Sequence, residues 1–217
     1  KMGSDLSVVN AARVSFSKTS EWESITPAGP IEGLLSKQDE KLINYLAKHN
    51  HWSPFGHASM QFHIKAPVFV ARQLVKHQVG LVWNEVSRRY VDDEVEFYVP
   101  EDWRGAPENS KQGSSSEVID INPHHRMVDD YQQVCKKAKW TYEHLLSQGV
   151  APEQARMVLP QSMMTEWYWS GTLMAFARVC NLRCKPDTQL ETQVVANQID
   201  EIGEECFPVS WKALRDG

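Results

Sequence analysis

The chain has 217 residues, of which 41 % are hydrophobic and eight are tryptophan, so it can bury a core and is not a disordered segment. Lysine and arginine number 23 against 28 acidic residues, and a net charge of −5 argues against bulk attraction to nucleic acid or an anionic membrane. No apolar run reaches the roughly 18 residues of a membrane span, and no signal peptide is visible. The four cysteines (Cys135, Cys180, Cys184, Cys206) contain no CxxC pair and point to reduced thiols in a cytoplasmic protein.

Ser4 to Phe16 predicts a short helix with Leu6, Val9 and Val14 as its apolar positions. Ser17 to Gly33 carries Pro27, Gly29, Pro30 and Gly33 and predicts a mobile loop. Ser36 caps a helix through His49, with Asp39 and Glu40 in its first turn and Leu42, Ile43 and Leu46 as its buried stripe. Pro54 and Gly56 make residues 49–57 a turn. Ala58 to Ala66 alternates, with Met60, Phe62 and Ile64 on one face, and predicts a half-buried strand. Pro67 suits the first turn of the next helix, through Val75.

Glu94 to Val99 alternates again, and Pro100 ends it. Residues 101–123 are polar and read as a surface insertion. His125 to Ser147 is the longest predicted helix, with Met127, Tyr131, Val134, Ala138 and Leu145 at helical spacing and Gly149 at its C-terminal cap. A short helix from Pro152 to Leu159, a strand from Gln161 to Trp169, and helices Ser170–Arg183 and Leu190–Cys206 complete the chain. This order predicts one α+β domain over residues 1–217, with helices packed on a small, largely antiparallel sheet.

The most informative stretch is Arg72 to Tyr90. It opens as a helix and turns polar, with Arg72, Lys76, Arg88 and Arg89 interleaved with His77, Asn84, Glu85, Ser87 and Tyr90. Guanidinium and ammonium groups pair with phosphate oxygens through charge-assisted bonds. A local basic cluster in an acidic protein favours a small anionic ligand, the alternative being a solvated charged face. Arg156, in an apolar setting, and Arg183, ending an apolar helix, add further cations, although a cation at a helix C-terminus also has a structural use. His49, His51, His57 and His63 lie close in sequence without HExxH or finger spacing, so no metal site is expected. Ser87 has no GxSxG elbow around it and reads as a ligand contact above a nucleophile. Neither GxGxxG nor GxxxxGK[ST] is present.

Several of these runs occur together in one family. His51-x-Ser53-Pro54-Phe55-x-His57, Phe62-His63-Ile64-Lys65-Ala66-Pro67-x-Phe69-Val70-Ala71-Arg72-Gln73 and Asn84-Glu85-x-Ser87-x-Arg89-Tyr90 resemble the flavin-dependent thymidylate synthases. Ala11-Ala12-Arg13-Val14-Ser15-Phe16, Ala155-Arg156-x-Val158-Leu159-Pro160 and Asn181-Leu182-Arg183 extend the resemblance over nearly the whole chain. The family's Arg-His-Arg triplet reads Lys76-His77-Gln78 here, eight residues before Ser87. Thr172 and Met174 stand where the family has Asn-x-Arg.

The resemblance implies the family fold and reductive methylation of dUMP to dTMP. It implies methylenetetrahydrofolate as carbon donor, reduced FAD as hydride donor and NADPH as flavin reductant. It assigns Gln73, Lys76, Glu85, Ser87, Arg88, Arg89, Arg156 and Arg183 to dUMP, and Ser53, Lys76, His77, Gln78 and Glu85 to FAD. Arg183, Ser87 and His51 become the catalytic set. A homotetramer with active sites at subunit interfaces is implied, with no nucleic-acid or membrane partner. The replaced arginines leave open an altered pyrimidine substrate, a different one-carbon chemistry such as hydroxymethylation, or a nucleotide-binding homologue without catalysis.

Overall fold

Caps and prolines set the helix boundaries. In the computed structural model, which describes residues 1–23, 34–90, 94–107, 113–119 and 126–216, Ser4 and Ser7 form a capping box at the start of α1 (Asp5–Arg13). A 3-10 turn, Val14–Phe16, ends the predicted first helix. From residue 24 onward, the predicted mobile loop lies outside the described residues. Ser36 accepts the Asp39 backbone N–H at 3.2 Å and opens α2 (Lys37–Lys48), as expected.

β1 (Ser59–Pro67) and α3 (Val68–Leu74) follow, with Pro67 as the cap before the helix. Beyond them come β2 (Leu81–Glu85), α4 (Met127–Ser147), α5 (Pro152–Ala155), β3 (Met164–Thr172), α6 (Leu173–Arg183), α7 (Leu190–Cys206) and α8 (Pro208–Arg215). The sheet is small and antiparallel, in the order β1-β3-β2, so the α+β expectation holds. No helix among the described residues is long and apolar enough to cross a membrane.

The chain packs as two units. The first comprises residues 1–62, 77–82 and 169–217. Its core joins Val8, Val9, Ile43, Phe55, Leu173, Phe176, Phe207 and Trp211. α6 and α7 pack on one another, and both pack on α8. The buried Asp5 carboxylate accepts N–H bonds from Val209 at 3.0 Å and Ser210 at 2.9 Å, which caps α8 and satisfies its charge. The second unit comprises residues 63–76 and 83–168. In it Val95, Tyr142 and Ala155 form a cluster with Phe97, Leu145 and Leu159, and the Trp83 and Trp167 rings stack with centroids 4.3 Å apart.

Five readings need correction. Residues 81–85, read as loop, form β2; a five-residue strand ending in Asn84-Glu85 is too short and polar for its alternation to stand out. Glu94–Val99 is not a sheet strand. Phe97 makes an isolated bridge to Met163, in the turn before β3, so Val95 and Phe97 face the core without a continued ladder.

On α4 the inner face is built on Cys135 and Tyr142, whereas Val134 is 61 % exposed and Met127 is exposed. The Tyr131 hydroxyl donates to Tyr98 O, which helps turn the helix toward that face. The predicted helix from Ser170 starts at Leu173, because residues 170–172 extend β3 and Thr172 caps α6 by accepting the Ala175 N–H at 3.2 Å. α8 was not expected at all; it is only eight residues long and its cap, Asp5, lies at the other end of the sequence.

Candidate active site

In the second unit the end of α3, the end of β2 and the turn after α5 converge on one cleft of about 390 Å³. Arg72, Arg88 and Arg156 line it with Glu85, Thr165 and Gln161. The buried positions Val70, Ala71 and Leu74 anchor α3 and leave Arg72 on its exposed side. Pro152 starts α5, Ala155 is buried beneath it, and Arg156 follows on the outer side. Three cations against two carboxylates, Glu85 and Glu153, leave this cleft with an excess of positive charge in a chain of net charge −5.

The Glu85 carboxylate is held in place. Its Oε1 accepts the Thr165 hydroxyl at 2.8 Å, and its Oε2 accepts the Trp83 indole N–H at 3.2 Å. The Val86 N–H donates to Glu166 O at 2.9 Å, fixing the chain as it leaves β2. Ser87 to Tyr90 then forms a turn: the Tyr90 N–H donates to Ser87 O at 2.9 Å, and the Arg89 guanidinium lies 5.0 Å from the Tyr90 ring centre. Arg88 donates to Glu94 O at 3.3 Å and lines a second cleft with Lys65, Glu96 and Glu166. Gln73 is half-buried in α3, and Lys76 is exposed in the turn two residues beyond its end.

In the first unit His77 and Arg183 meet. Arg183 ends α6, and its Nε donates to His77 Nε2 at 3.0 Å. Burial, then the Arg183 charge, lowers the His77 pKa below its ordinary value of 6.5. Burial also lowers that of Arg183. Gln78 is exposed beside this pair in sequence, and Ser53 is exposed at the start of a 3-10 turn whose Pro54 and Phe55 are buried. The exposed His51 ring lies edge-on to Tyr45, with centroids 5.9 Å apart. His63 stacks on Tyr168 at 4.6 Å and pairs with Glu166 at 3.6 Å, both in the second unit. Among the described residues no group of histidine, cysteine or acidic side chains is placed to hold a metal ion.

Of the residues expected to hold nucleotide, the structure brings Glu85, Arg88 and Arg156 to one cleft and adds Arg72. Sequence reasoning missed Thr165 and Trp83, which fix Glu85. The alternation that puts Thr165 on the buried face of β3 was visible, but not its partner 80 residues away. It also missed the bond between His77 and Arg183, which no spacing encodes.

The family described as thymidylate synthase complementing protein matches residues 1–209. A flavin-dependent thymidylate synthase of Thermus thermophilus is 37 % identical over 216 residues, covering 100 % of this chain and 73 % of its own length. One from Kosmotoga olearia is 38 % identical over 214 residues, covering 98 % of this chain and 86 % of its own. Among solved structures, a UMP/dUMP methylase from Streptomyces cacaoi bound with 5-Br dUMP superposes with a TM-score of 0.79 at 32 % identity, covering 99 % of this chain and 92 % of that one.

Proposed function

The chain belongs to the family of thymidylate synthase complementing proteins, and on that premise we propose that it methylates C5 of dUMP. The observation that carries the substrate class is the cleft walled by Arg72, Arg88 and Arg156. A nucleotide monophosphate brings a dianionic group that such cations pair with. Gln73, Lys76, Ser87 and Arg89 complete the dUMP set, and the fixed Glu85 carboxylate is an acceptor for a ribose hydroxyl or a uracil N–H. Ser87 acts as a ligand contact: its Oγ accepts the Arg89 N–H at 3.4 Å, and no GxSxG elbow surrounds it.

Arg183 acts electrostatically. A half-buried guanidinium gains from an anionic partner, so it favours the ionised N3 of uracil and raises the nucleophilicity of C5. When bound, FAD supplies the hydride that reduces the carbon donated by methylenetetrahydrofolate, with NADPH as the source of electrons. The residues present suit that cofactor. Lys76, Gln78 and Ser53 offer an exposed ammonium, amide and hydroxyl for a diphosphate and a hydrogen-bonding ring edge, and His77 supplies an uncharged imidazole. His51, exposed beside Tyr45, serves the flavin and folate side.

A homotetramer with shared active sites is supported by the exposure of Val79, Val82, Tyr90 and Met157 near these polar groups in the chain. Four free thiols accord with a reducing, cytoplasmic location.

The relation to a UMP/dUMP methylase favours a second reading in which the ribonucleotide is also accepted. Tritium release from C5 of dUMP, UMP and dCMP, each with FAD, NADPH and methylenetetrahydrofolate, tests both. Release from dUMP and its loss in Arg183→Ala are expected. No release from any of the three would refute the proposed chemistry, and comparable release from UMP would establish the second reading.

A further inference from the structure

We propose that His77 is a positioning residue for Arg183: its imidazole accepts the Arg183 Nε–H and sets the plane in which the guanidinium meets its anion. The proposal rests on the role given to Arg183 above. The hydrogen bond is 3.0 Å long and joins two half-buried side chains. Every guanidinium nitrogen is a donor, so His77 Nε2 carries no hydrogen, and the neutral ring holds its proton on Nδ1. Nε is the nitrogen nearest the side-chain stem. Fixing its N–H restrains rotation of the planar group and leaves its orientation defined before substrate arrives. A preorganised charge is worth more in a transition state than one that must turn into place.

The backbone delivers His77 for this contact. Gly80, three residues on, has φ of +77° and sits against the first turn of α6. A Cβ there would stand 3.1 Å from both the Thr172 hydroxyl and the Ala175 methyl. Thr172 N–H donates to Gly80 O at 3.1 Å, and Leu81 N–H donates to Gln78 O at 3.1 Å. Residues 77–80 are therefore fastened at the start of α6 through Gly80 and at its end through His77. An 11-residue helix rises about 16 Å. The His77-to-Gly80 segment and two long side chains bridge that length.

The same geometry makes the contact sensitive to acid. Protonation removes the acceptor and sets two cations against each other. Arg183 is the charged group facing His77 from α6, and its sequence neighbours are Lys76 and the neutral Gln78. Burial and the Arg183 charge place this transition below the ordinary histidine value of 6.5.

The test uses the full chain with selectively labelled histidine and arginine, and three proteins: wild type, His77→Ala and His77→Gln. The glutamine Oε1 can accept the same N–H without titrating. Nitrogen NMR should show His77 with hydrogen on Nδ1 and a slowly exchanging Arg183 Nε–H, which is lost in His77→Ala. Turnover at saturating FAD and dUMP should fall about tenfold or more in His77→Ala with KM for dUMP little changed. His77→Gln should restore most of it and lack the acid limb of the wild-type kcat profile.

Hydrogen on Nε2 in the wild type would overturn the proposal. So would equal turnover in wild type and His77→Ala, or a His77→Gln variant as impaired as His77→Ala while binding FAD normally. Wild-type protein that releases no tritium from C5 refutes the proposed function instead, and the spectra then still decide whether His77 holds Arg183.

Discussion

Gly203→Ala should destabilise the protein although alanine is the better helix former. Gly203 lies in α7 facing Trp211, which is 2 % exposed. A Cβ at residue 203 would stand 2.4 Å from Trp211 Cε2 and 2.6 Å from two further ring atoms, well inside contact distance. The ring has little freedom to withdraw. Its Nε1 donates to Asp200 Oδ1 at 2.7 Å, and Asp200 also accepts Arg215 Nε at 2.8 Å and Nη2 at 2.9 Å. Helix propensity favours the substitution by about 1 kcal/mol.

Overpacking costs about 1–3 kcal/mol, and displacing the indole from a charged acceptor costs about 1.5–3 kcal/mol. The net expectation is a loss of about 1.5–5 kcal/mol, a large part of a typical stability of about 5–15 kcal/mol. Urea unfolding at one fixed protein concentration measures it, and the midpoint should fall with the slope unchanged. An unchanged or raised midpoint would show that α7 and α8 separate freely at this contact, and would refute the packing argument.

Other expectations concern charge and backbone. If dUMP binds in the cleft that Arg156 lines, as proposed, Arg156→Ala should raise KM for dUMP about tenfold or more with a smaller effect on kcat in steady-state assays. Asp39→Asn should cost about 3 kcal/mol at neutral pH, since it breaks a partly buried pair in which Arg13 Nε donates to Asp39 at 2.9 Å. Burial opposes the Asp39 charge, but bonds from Arg13, Ser36 and Ser20 outweigh it and hold the carboxyl below its ordinary 3.8. That stabilisation is present above 3.8 and is lost as pH falls through the lower native value, so acid titrations of wild type and variant should converge there. Gly80→Ala should lose about 1–2 kcal/mol of stability in the same unfolding assay, because alanine is strained at φ +77°.

Local signals carried much of the fold. The Ser36 cap, the alternation of β1 and β3, the start of α5 at Pro152 and the full extent of α7 depend on neighbours within a few residues, so the linear order records them. The cations of the cleft in the second unit were legible for the same reason: Arg88 and Arg156 sit in short motifs whose residue types state their chemistry.

What the tertiary structure alone decided involves partners distant in sequence. β2 exists because β3 pairs with it, not because residues 81–85 alternate strongly. The inner face of α4 follows Cys135 and Tyr142, a choice set by what packs beneath and not by the apolar count. α8 takes its cap from Asp5, more than 200 residues away. The Lys76-His77-Gln78 triplet changed most in meaning. Its sequence identified it as a flavin contact by resemblance, while folding set its histidine against Arg183, 106 residues on. Residue types set which interactions are chemically possible, but a hydrogen bond needs its two groups about 3 Å apart, and only the packed chain brings distant residues that close.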